Sequence, residues 1–177
     1  MQPVSTGLSR RLDDYVSPTL ENLLALVILC LAIFSRLDQL GVRAMSHDEI
    51  NHVVPAYDFS QGGDYHYDPM THGPLQFHLL ALSYFLLGDS DFTSRLPAAC
   101  FSVLAVGIAL FAFRRYLGRV GALSAGVLLL ISPYMLFYGR YARNEAFIVV
   151  WGLLILYAIL WYLETGRRGA LVLFTLA

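Results

Sequence analysis

The chain contains no lysine. All twelve of its basic residues are arginine, set against thirteen acids and five histidines. Genome composition alone can produce such a bias. Charged residues of either sign make up only 14% of the 177, where a soluble domain carries about 25%. That deficit, with 57% hydrophobic residues and a mean hydropathy of +0.58, takes the chain out of the soluble class. Cysteine is scarce too. Cys30 and Cys100 both fall in apolar runs and read as small buried hydrophobes, not as a disulfide or metal ligands. A lipoprotein cleavage site is missing, because Leu29 precedes Cys30. No small-x-small site follows the first apolar run either, so that run reads as an uncleaved anchor. No repeat or low-complexity tract is evident. The net charge of −1 gives no reason to expect a nucleic-acid partner.

Long uncharged runs are what the chain does have. They predict an all-α membrane protein, a multi-span bundle with a large first external loop. Residues 1–18 are polar and read as a cytoplasmic segment, and residues 19–177 as the transmembrane domain. The first span, about 20–37, has Glu21 and Arg36 near its ends. Its uncharged stretch is short for a hydrocarbon core of about 30 Å, and snorkelling ends are expected to make up the difference. Further spans are expected at about 96–113, 120–139 and 146–163. Pro97 should sit in the first turn of one of them, and Ser132-Pro133 should kink or break another near its end. A run from Gly169 stops at Ala177 in mid-apolar sequence. This reads as a truncated span, and so the chain as the N-terminal piece of a longer protein.

Residues 74–88 are apolar but short and contain Gln76 and His78. If Arg10-Arg11 are cytoplasmic and 74–88 does not cross, Arg114, Arg115, Arg119 and Arg167-Arg168 all fall on the cytoplasmic side, as the positive-inside rule requires. If it crosses, those clusters land outside. The non-crossing reading makes 38–95 one external loop with juxtamembrane helices. That loop holds all five histidines and eight of the thirteen acids. Arg140, Arg143 and Glu145 return to the same face.

Several groups on that face could carry chemistry. Ser46-His47-Asp48-Glu49 has the form of a helix capping box, yet a carboxylate pair beside a membrane is costly and is usually retained for function. Asp48 and His52, at i and i+4, could share a face as metal ligands or as a carboxylate-oriented imidazole. A divalent ion is therefore the one cofactor expected. The spacing is not that of a zinc-protease H-E-x-x-H. Arg140 and Arg143 break the positive-inside pattern beside Glu145. Guanidinium forks suit a phosphate, and the plainer alternative is an Arg–Glu pair that closes the helix end.

The order of the pieces is more specific than any one of them. Asp48-Glu49 after a first span, His72-Gly73-Pro74-Leu75, Arg95-Leu96-Pro97-Ala98, Arg114-Arg115, Ser132-Pro133 and Arg140-Tyr141-Ala142-Arg143-Asn144-Glu145 together resemble the GT-C membrane glycosyltransferases. Within these, the chain is similar to the protein O-mannosyltransferases and aminoarabinose lipid A transferases, and most similar to the flippase-associated branch of N-glycosylation. The resemblance implies a polyprenyl-phosphate sugar donor, a lipid, glycan or protein acceptor, and contact with membrane lipid. It implies an extracytoplasmic active face on a multi-pass plasma-membrane protein. Asp48 matches the acid expected as base for the acceptor hydroxyl, and Glu49 the acid that supports it. Glu145 stands where the family more often has Asp. His72 falls in the place of a family His-Pro-Pro-Leu motif and joins Arg140 and Arg143 as an expected substrate contact. A non-catalytic partner of lipid-linked sugar translocation on the same scaffold is the main alternative. A secondary transporter is a third, opposed by acids that lie at one face and not at the midplane.

The side count makes a testable statement. A cysteine placed at position 91, in a chain whose native cysteines are replaced, should label with a membrane-impermeant maleimide from outside intact cells. Labelling that requires permeabilisation would overturn the non-crossing reading of 74–88.

Overall fold

The computed structural model of the chain describes residue 13 and residues 16–64 and 73–177, and every regular element among these is helical. The protein is an all-α membrane protein. Helix α1 (Pro18–Leu37) is followed by α2 (His47–Ser60), α3 (Pro74–Leu87) and α4 (Asp91–Gly107), which continues through a π-helical stretch at Ile108–Ala112. Then come α5 (Arg114–Ile131), the short α6 (Pro133–Tyr138), α7 (Glu145–Thr165) and α8 (Arg168–Leu176). Three of these are long and apolar enough to cross a membrane: α1, α4 with its π stretch, and α7. Helix α3 is apolar but has 14 residues, about 21 Å at 1.5 Å per residue, short of a bilayer core.

Helix α4 begins earlier than its hydropathy suggests. Ser90 caps it, accepting from Thr93 N–H at 3.1 Å while Thr93 Oγ1 accepts from Ser90 N–H at 2.9 Å. Pro97 therefore lies inside the helix and leaves the Thr93 carbonyl without its helical donor. Ser83 of α3 supplies one, its hydroxyl donating to Thr93 O at 2.8 Å. Pro133 creates the same vacancy at the Leu129 carbonyl. Arg36, fully buried in the last turn of α1, donates to Leu129 O at 2.9 Å, to Leu130 O at 3.0 Å and to Ser102 Oγ at 3.3 Å.

The snorkelling expected of α1 is therefore not what occurs. Arg36 turns inward onto carbonyls freed by the break at Ser132-Pro133. Glu21, also buried, turns inward onto Arg114 at 2.5 Å and Arg119 at 3.5 Å. A charge in hydrocarbon is tolerated when it faces protein and finds partners. The segment expected to span at 120–139 is two helices. Gly118, at φ +72°, separates the first turn of α5 from its body, and α5 ends at Ile131 before Pro133 opens α6.

Packing uses small residues so that helices approach closely. Ala25, Ile28 and Ala32 of α1 meet Val106 and, in the π stretch, Leu110. Ala98 of α4 meets Ala146 and Phe147 of α7, and Ala105 meets Met135 and Val150. Helix α2 lies on α3 through Ala56, Phe77, Leu80 and Tyr84. Gly139 is needed where α6 ends against α4. A side-chain carbon there would stand 2.5 Å from the Met135 carbonyl and overlap Ser102. The C-terminus of α1 and the N-termini of α2, α4 and α7 meet at one end of the bundle. Helix α7 carries the chain to the other end, about 30 Å away.

Arg36→Met keeps an unbranched side chain through the δ position but removes the guanidinium donors. It leaves two carbonyls unpaired inside the bundle, at about 1–3 kcal/mol each. Unfolding of the purified protein in detergent should show a stability loss of at least about 2 kcal/mol, and a variant as stable as wild type would remove Arg36 from this role.

Candidate active site

The polar end of the bundle is organised around Glu49. Ser46 stands in extended backbone before α2, and the capping box forms. Ser46 N–H donates to Glu49 Oε2 at 3.0 Å, and Glu49 N–H reaches Ser46 Oγ at 3.4 Å. The Glu49 carboxylate is completely buried and does more than cap its own helix. Arg95, from the second turn of α4, grips it with both prongs, Nε to Oε1 at 2.7 Å and Nη2 to Oε2 at 3.0 Å. The backbone N–H of Ala142 donates to Oε1 at 3.1 Å, and Arg43 donates to Oε2 at 3.1 Å. Burial pushes the Glu49 carboxyl upward, but the Arg95 hydrogen bonds, the N–H groups of Ser46 and Ala142 and the Arg95 charge outweigh it. The carboxyl is held below its ordinary range.

Arg95 is equally enclosed. Its remaining N–H groups go to the carbonyls of Leu40 at 3.0 Å, Arg43 at 2.8 Å and, more loosely, Ala44 at 3.4 Å. One guanidinium thus holds the 40–44 turn, α2 and α4 together. The 139–144 turn is held as firmly. Gln76 of α3 donates to Ala142 O at 2.9 Å, and Tyr141 OH meets Ser46 Oγ in a short hydrogen bond.

Asp48, one residue earlier, faces the other way. Its side chain is 55% exposed, and Oδ2 accepts from Arg143 Nη1 at 2.9 Å. Arg143 Nε stands 3.1 Å from Glu145 Oε1, within ion-pair distance but not aligned as a hydrogen bond. Arg143 therefore bridges two acids, and Glu145 Oε2 is buried without a hydrogen-bond partner. The structure brings Asp48, Arg143 and Glu145 together and sends Glu49 into the protein.

Arg140 is elsewhere. It donates to Ser35 O at 2.9 Å and Asp38 O at 2.6 Å, closing the carbonyl end of α1. With Gln39, Arg43, Leu136 and Phe137 it lines a pocket of about 190 Å³. Arg43 enters that pocket with its guanidinium 5.3 Å from the Phe137 ring centre and 5.0 Å from that of Tyr141, and its side chain is 48% exposed. His52 is buried edge-on against Phe77. Among the described residues no three His, Cys, Asp or Glu side chains gather as a metal site. His72 lies outside the described residues.

Arg95 and Arg43 are the residues that the motifs named without a role or passed over. Arg95 had a readable signal, since a lone charge in the first turns of an apolar helix requires a partner. Arg43 had none, because the ring stack that holds it comes from residues almost a hundred positions away.

The sequence model of the dolichyl-phosphate-mannose-protein mannosyltransferase family matches residues 71–177, more than half of the chain. The matched region takes in Arg95 and the whole Arg140–Glu145 turn and begins after α2. No curated protein and no solved structure matches the chain.

The low-lying Glu49 carboxyl ties stability to pH. A group whose folded value is depressed contributes stability above its unfolded pKa, about 4.3 for Glu, and loses it as pH falls through the folded value. Wild-type stability should hold from about pH 7 to about pH 5 and fall below that. Glu49→Gln leaves Arg95 buried without its counter-charge and should cost about 3–5 kcal/mol near neutrality. Its difference from wild type should shrink as the pH is lowered. Parallel pH curves for the two proteins, followed by tryptophan fluorescence, would contradict this.

Proposed function

Since the chain belongs to the dolichyl-phosphate-mannose-protein mannosyltransferase family, a family of membrane glycosyltransferases, we propose that it moves a sugar from a polyprenyl-phosphate-linked donor to an acceptor hydroxyl on a lipid, glycan or protein. The reaction runs at the extracytoplasmic face of the plasma membrane, with inversion, and Asp48 is the base. One observation carries the assignment: of two adjacent acids, Glu49 is fully enclosed by donors while Asp48 opens to solvent.

In this reading Asp48 takes the proton of the acceptor hydroxyl as its oxygen bonds to the anomeric carbon. The bond from that carbon to the phosphate oxygen breaks, and the electron pair leaves with the lipid phosphate. Arg143 occupies Oδ2 of Asp48, which leaves Oδ1 for the acceptor. Glu145 holds Arg143 from the other side, so the guanidinium is placed beside the base and not free to swing away. The developing phosphate charge falls to arginine. Arg143 is one candidate, and the pocket between Arg140 and Arg43 offers the other, with Phe137 and Leu136 as an apolar wall for the start of the lipid. His72, just ahead of α3, is assigned to the substrate side on the motif alone.

Asp48→Asn preserves the size of the side chain and removes the base. In the full-length protein, transfer from a polyprenyl-phosphate sugar should fall by about 10²–10⁴-fold with donor binding retained. Transfer at the wild-type rate, at matched expression, would sink the assignment. Donor translocation without transfer in the wild-type protein would favour the non-catalytic alternative.

A further inference from the structure

The end of the bundle away from Asp48 also gathers arginines, and most of them are already matched. Arg114 and Arg119 pair with Glu21, and Arg119 also donates to Val16 O at 2.8 Å. Arg115 takes Glu164 at 2.5 Å. Arg167 and Arg168 are exposed, and neither has an acidic partner among the described residues. Arg167 caps and Arg168 opens α8, just after Gly166, at φ +63°, ends α7 with its N–H on Tyr162 O at 2.8 Å.

An apolar trough opens directly beside this junction. Helices α7 and α8 touch through Ala158 and Ala170, both fully buried. The small contact leaves a groove of about 180 Å³ flanked by Tyr162, Leu163, Leu171 and Phe174. The groove starts one helical turn from the arginines, since Ala170 N–H bonds to Arg167 O at 3.1 Å. Helix α7 is long and apolar enough to span a membrane, so its outer surface meets hydrocarbon. What suits the groove is an apolar chain, and what suits its mouth is an anion held by two guanidinium forks. An apolar helix would fill the groove but bring no charge to Arg167 and Arg168. A neutral lipid fails for the same reason.

We propose that the α7–α8 hairpin binds an anionic phospholipid, with an acyl chain in the groove and the phosphate at Arg167 and Arg168. The site lies about 30 Å from Asp48 along α7 and does not depend on the glycosyltransferase reading. Its ligand is a bulk membrane lipid, distinct from any donor bound at the other face.

Native mass spectrometry of the full-length protein, released from mixed phosphatidylglycerol and phosphatidylcholine nanodiscs, provides the test. Wild type should retain phosphatidylglycerol several-fold over phosphatidylcholine. R167Q/R168Q should bring that ratio close to one while leaving the thermal midpoint unchanged. Leu171→Trp, at a half-exposed position on the groove wall, should lower retention of both lipids. Arg115→Gln removes a charge that Glu164 already matches, and should leave the ratio as in wild type. Equal retention of the two lipids by wild type would overturn the proposal, as would a ratio that survives R167Q/R168Q. So would an equal loss in Arg115→Gln, which would mean attraction to the whole arginine-rich end. A lipid-free dimer with the groove protected from labelling would replace the phospholipid with a second copy of the chain.

Discussion

The paired burial of Glu49 and Arg95 is the constraint from which the rest of the polar end follows. Taking both charges out of water costs several kcal/mol each and is sustainable only when every lone pair and every N–H is used. Glu49 receives two bonds from Arg95 and one each from Ser46, Ala142 and Arg43. Arg95 spends its remaining donors on backbone carbonyls of the 40–44 turn. Four separate stretches of chain therefore converge on one ion pair, and none can shift without leaving a buried polar group unpaired. The Ala142 bond matters most for the proposed site. It sets the turn that carries Arg143, and so sets where Arg143 meets Asp48.

The neighbouring acids divide their work because of helix geometry. Consecutive residues point about 100° apart around a helix axis, so one acid can face α4 while the other faces solvent. Glu has the extra methylene that reaches the buried guanidinium and also closes the capping box. Asp, shorter and one position earlier, stays at the rim. The capping reading of Ser46-His47-Asp48-Glu49 thus falls to Ser46 and Glu49, and the proposed catalytic role to Asp48.

Much of this was legible in the sequence and some was not, for identifiable reasons. Low charge and long apolar runs were enough for an all-helical membrane protein, and Ser46 with Glu49 was enough for the capping box, because both are local patterns. The gathering of Asp48, Arg143 and Glu145 on one face needed only a count of sides. The separate fates of Arg140 and Arg143, three residues apart, were not readable. They depend on where α1 ends relative to the 139–144 turn, a tertiary fact. The inward turn of Arg36 was missed for a similar reason. A charged residue at a helix end reads as snorkelling unless one knows that Pro133, almost a hundred residues later, leaves a carbonyl beside it.

The absence of lysine takes on physical content at this point, whatever its origin. Arg36 serves two carbonyls and two hydroxyls, Arg95 a carboxylate and three carbonyls, and Arg140 two carbonyls. Arg36 and Arg95 bridge acceptors on different segments, Arg140 closes the end of a single helix, and some of these acceptors are orphaned by a proline break or a helix end. A planar fork with five fixed N–H groups can do this at several divergent positions at once. An ammonium offers three donors from one point and is more strongly hydrated, so the same burial would cost more and satisfy fewer carbonyls. In a bundle with a proline inside one helix at Pro97 and a break before Pro133, freed carbonyls must be met inside the protein. Ser83 is enough where one carbonyl is freed. Where two or three unpaired carbonyls stand together, the guanidinium is the side chain whose shape fits, and the same property leaves Arg167 and Arg168 suited to a phosphate at the far end.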